Sequence, residues 1–164
     1  MHPRPGPGRF AAVGVAAGSV PAMSGTDDPA HRQLDRLLRE LSARRRPGVF
    51  TYVTVAGPEA TPAGIDVEAT VREPEGLSVV VEVRAAAAAG WTVGYRAAWI
   101  TCEVLSALDA VGLTAAIATA LAAEGISANV VAGHHHDHVL VAEDDADRAL
   151  AVLGRWGDQP TSSA

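Results

Sequence analysis

No lysine occurs anywhere in the 164 residues, so all 13 positive charges are arginine. That absence excludes the phosphate-gripping lysine of a P-loop, the Schiff-base lysine of a pyridoxal enzyme or aldolase, and the strand lysine of a protein kinase. The accompanying abundance of Ala, Gly, Arg and Pro also fits GC-rich codon usage. Cysteine is almost missing. With Cys102 alone, an intrachain disulfide and a Cys-based zinc site are excluded, and a reducing, cytoplasmic setting is the expectation. No run qualifies as a membrane span: Phe10 to Val20, mostly Ala, Gly and Val, is too short. Aromatic residues number only 7, which disfavours a wide aromatic cavity.

What is present is a chain with 48% of its residues in the hydrophobic class, of which 33 are alanine. The side chains left to fill a core are dominated by 20 Val and 12 Leu, a composition suited to close-packed strands and small-residue helix contacts. The net charge of -6 is unevenly spread. Residues 1–46 carry 8 Arg against 4 acids, and residues 47–164 carry 5 Arg against 15. An acidic body repels phosphates, so nucleic acid is not expected as a partner, nor is a membrane.

Residues 1–27, rich in Pro and Gly, read as a disordered or non-native extension, with Met23 opening a second start, MSGTDDPA. Asp28 as cap, Pro29 in the first turn and Leu34, Leu37, Leu38 and Leu41 at i, i+3, i+4, i+7 predict an amphipathic helix. Arg44, Arg45 and Arg46, followed by Pro47, are expected at its C-terminal end. Strands are predicted over Val49–Ala56, Asp66–Arg72 and Leu77–Val83, with a tight turn at Glu73–Gly76 and a short helix stopped by Gly90. The second half begins with a strand over Ala98–Leu105, with Cys102 in its apolar register as a core residue. There follow a helix from about Ala110 to Glu124 capped by Gly125, strands over Ala128–Ala132 and about Asp137–Ala142, and a helix over Glu143–Leu153. The fold class is α+β: two tandem ferredoxin-like units, residues 28–97 and 98–153, with antiparallel sheets and helices on one face, then a flexible tail, 154–164.

The stretches Pro47 to Tyr52, Glu75 to Val81, Trp99-Ile100-Thr101, Ser106 to Ala116, Gly125 to Ala132 and His135 to His138 resemble bacterial ACT-domain proteins of a short two-unit type. Cys102 departs from that pattern, where leucine is expected. The resemblance implies βαββαβ units that bind amino acids or related small molecules at interfaces between paired units, a regulatory or sensor role, and a homodimer.

The best ligand position is the mouth before the second-half helix, because a helix N-terminus offers unsatisfied N–H groups to a carboxylate. Ser106, Asp109, Val111, Gly112 and Leu113 form this mouth. Asp109 is placed to hold an ammonium group, and Gly112 allows close approach; Asn129 and Val130 face it, with His136 on the rim. Asp109 serves equally as a plain helix cap and Gly112 as a packing glycine. Histidines crowd into His134-His135-His136-Asp137-His138. In an extended chain His134, His136 and His138 share a face, a spacing that suits zinc or another divalent metal. No cofactor is expected on the leading reading; the alternative is a metal-binding protein or metal-dependent hydrolase built on this run.

Overall fold

A computed structural model describes residues 29–104 and 111–156. The first helix, α1 (Pro29–Glu40), has Leu37 on its inward side and Leu41 directly after its end, each only 3% exposed. It stops well before the arginines. Ser42–Arg45 is a strand, β1, so Arg44 and Arg45 lie on an extended segment instead of closing a helix. The cause is tertiary: β1 pairs antiparallel with residues 100–103, Ser42 opposite Glu103 and Arg45 opposite Ile100, and Arg44 ion-pairs with Glu103 across the two strands. Such pairing overrides the local helix preference of an arginine run.

The chain continues through β2 (Phe50–Val55), β3 (Val67–Glu73), β4 (Gly76–Glu82), α2 (Val83–Ala88), β5 (Ala97–Glu103), α3 (Leu113–Ala123), β6 (Ala128–Ala132), β7 (Asp137–Ala142) and α4 (Ala146–Gly154). The hairpin at Pro74-Glu75 and the termination of α3 at Gly125, φ +71°, lie where turn chemistry predicted them. Helix α3 begins at Leu113, three residues later than expected from its alanine content.

One sheet runs in the order β3-β4-β2-β5-β7-β6, with β1 on β5 beside that path. The neighbours are antiparallel throughout. The segment β5-α3-β6-β7-α4 has three strands where a βαββαβ unit has four. β1 supplies the fourth from the far end of the chain, and α1 with the residue after it adds Leu37 and Leu41 to the same core.

The helices share the convex face. Ile100, Cys102, Val139 and Val141 meet α3 and α4 in the larger core, and Val79 and Val81 meet Ala86 of α2 in a smaller one. The concave face closes on itself: Phe50, Val80, Ala97, Trp99 and Leu140 are packed by Ala69 of β3 and Val131 of β6. Strands at opposite ends of the path touch one cluster, so the sheet is strongly curled. The tandem ferredoxin-like, antiparallel α+β expectation is what the structure contains. Among the described residues no helix is long and apolar enough to cross a membrane.

Candidate functional site

The mouth before α3 is partly in view. Gly112 is its N-cap with φ +99°, a conformation that favours glycine, and among the described residues no side chain caps the first turn. Leu113 is buried in the core and Val111 is 77% exposed. Ser106 and Asp109 lie outside the described residues. The space beside the Gly112 Cα is taken by α1: a Cβ built there would stand 3.0 Å from Leu34 Cδ2.

The structure does not gather the remaining candidates at this mouth. Asn129 sits opposite Leu140, a concave-face residue, whereas α3 covers the convex face. Val130 packs at the margin of the convex core. His136 lies in the turn joining β6 to β7, where its carbonyl accepts the Gly133 N–H at 2.9 Å. His134 to His136 are not extended, so the alternation assumed for His134, His136 and His138 does not form. Among the described residues no group of three or more His, Cys, Asp or Glu is disposed to hold a metal ion. His138 points elsewhere, its Nδ1 3.2 Å from Thr101 Oγ1 and its ring 5.3 Å from that of Trp99. Burial, with His136 and Arg46, lowers its pKa against the opposing pull of Asp137. Cys102 is a core residue: burial pushes its thiol up to about 12, which removes the thiolate a nucleophile needs.

A concavity that sequence patterns did not indicate opens where β1 turns into β2. It has a volume of about 660 Å3, inside the roughly 300–1,000 Å3 range of small-molecule sites. Its walls carry Arg46, Gly48, Glu68, Glu82, Arg84 and Arg96. Arg46 is held on three sides. Its guanidinium centre lies 5.1 Å from the Phe50 ring and 5.5 Å from that of Trp99, and its two Nη groups fork onto Glu68 at 2.7 Å each. Arg84 donates from Nε and Nη2 to the same oxygen, Glu82 Oε1, at 3.1 and 2.8 Å. Arg96 donates its Nε to Glu143 at 2.7 Å, and this carboxylate raises its pKa further. Gly48, φ +100°, forms the wall beside Glu82: a Cβ there would come within 3.1 Å of Oε1. The one local signal was Pro47-Gly48 directly after the arginine run, and it reads as an ordinary helix stop.

A family model described as an ACT domain matches residues 95–155, and a second ACT-domain model matches residues 29–98. No curated protein matches the chain significantly in sequence. Among solved structures, a Vibrio cholerae protein of unknown function is 41% identical with a TM-score of 0.72, over 79% of this chain and 99% of that one. An Agrobacterium tumefaciens protein matches at 21% identity and TM-score 0.52, over 71% and 89% of the two chains. The aspartate kinase regulatory subunit of Thermus thermophilus matches at 12% identity and TM-score 0.55, over 71% and 97%. The last two likenesses concern the fold alone.

Proposed function

Because the chain belongs to the ACT-domain family, with two such domains in tandem over residues 29–155, we propose that it is a non-enzymatic regulatory module whose ligand is an amino acid or a close relative. The tandem itself carries this reading: the two matches meet within β5, the strand through which both halves share one sheet. A ligand bound to either half therefore acts on a common framework. The proposed mouth lies at the N-terminus of α3, where the free N–H groups around Gly112 and Leu113 suit a carboxylate and Asp109 an ammonium. Ser106 and Val111 complete it. The module works in the cytoplasm as a homodimer, joined along the outer strands or the helices.

Thermal-shift titration against the standard amino acids and divalent metals tests this reading, because a ligand selective for the folded state raises Tm. At least one amino acid is expected to do so, and Asp109→Ala to reduce the shift without lowering the unliganded Tm. A protein that answers to zinc and to no amino acid would overturn the reading.

A further inference from the structure

We infer that the cavity at the β1–β2 turn is a second ligand site, shaped for a zwitterion with ammonium and carboxylate on one small molecule. This rests on the ligand-binding reading above and assigns it a place on the concave side of the fold, away from α3.

The argument starts from hydrogen-bonding capacity that the internal ion pairs leave unused. Glu82 receives both Arg84 bonds on Oε1, so Oε2 keeps its lone pairs for a further donor. Arg96 gives only Nε to Glu143, so its two Nη groups retain four N–H donors, and Arg84 retains Nη1. One cavity thus presents an acceptor of negative charge beside donors of positive charge.

Charge position then orients the ligand. The carboxylates are the deeper groups, with side chains 20% exposed at Glu68 and 33% at Glu82. The cations stand at the rim, 49% exposed at Arg96 and 85% at Arg84. An ammonium enters first and reaches Glu82, while the carboxylate stays outside between Arg84 and Arg96. A simple anion would meet Glu68 and Glu82, a simple cation would meet three guanidinium groups, and an apolar molecule would leave them all unanswered. The side chain of the ligand runs along the backbone of Gly48, where any Cβ would crowd Glu82.

The test is calorimetric titration of the standard amino acids, with acetate and methylamine as single-charge controls, into the wild type and into Glu82→Gln, Arg84→Gln and Asp109→Ala. Loss of at least about tenfold in affinity for an amino acid in Glu82→Gln, with Asp109→Ala retaining that binding, is the expected result. Arg84→Gln, at an exposed rim position, repeats the measurement should Glu82→Gln melt early. Wild-type affinity in both cavity variants overturns the second site and leaves the regulatory reading standing. Acetate or methylamine binding there as tightly as the amino acid overturns the zwitterion class. A wild type that binds no amino acid overturns the site and the regulatory reading together.

Discussion

Leu34 of α1 lies against Gly112 at the start of α3, its Cδ2 3.0 Å from where a Cβ on Gly112 would stand. Residues nearly half the chain apart thus set one another's limits, and the first helix is a structural part of the second half.

Gly112→Ala forces a side chain into φ +99° and against Leu34 at once. A loss of about 1–3 kcal/mol in urea unfolding is expected. Leu34→Ala in the same background relieves the contact but not the backbone strain, so the double mutant shows non-additivity of about 0.5 kcal/mol or more. Strict additivity would show that the two do not touch.

Leu37→Ala empties a buried position in the core formed with α3, α4 and β5. It is expected to cost about 2–5 kcal/mol. Arg44→Ala, which removes an exposed ion pair with Glu103, is expected to cost less than about 1 kcal/mol. Equal effects of the two in chemical denaturation would contradict the burial of α1.

The lowered pKa of His138, caused first by burial, gives stability a pH dependence with a definite sign. The unfolded chain binds the proton more readily, so this contribution is complete above about pH 6.5 and is lost as pH falls through the folded value. Urea midpoints measured across mildly acidic pH should fall with pH in the wild type and fall less steeply in His138→Gln. An unchanged slope in that variant would remove His138 as the source.

Cys102 is predicted to resist Ellman's reagent in native buffer and to react fully in denaturant, since its thiol is buried and titrates near 12. Rapid labelling of the folded protein would contradict its place in the core.

Sequence patterns located β6 and β7 to the residue, because turn residues bound them and because Val139 and Val141 alternate with His138 and Leu140. They failed at Ser42–Arg45 for a physical reason. A short strand of Ser, Ala and two Arg has no signature of its own; it exists because β5, 59 residues away at the Arg44–Glu103 pair, offers an unpaired side. The concavity was illegible for a related reason: Arg46, Glu68, Glu82 and Arg96 come from separate strands or their ends, and the pairing of Phe50 with Glu82 and Ala97, with the curl of the sheet, makes them neighbours. The histidine run failed in the opposite sense. Its spacing suggested shared geometry, yet a turn of Gly133 to His136 breaks the alternation that would set His134, His136 and His138 on one face.

The borrowing of β1 by the second half also bears on biosynthesis. During translation α1 and β1 leave the ribosome well before their partners at residues 97–154. The first helix must carry its leucine stripe uncovered until residues 97–154 have been made. The C-terminal half therefore cannot complete its sheet and core from its own residues, and its folding requires closing the long loop back to the earlier-made segment.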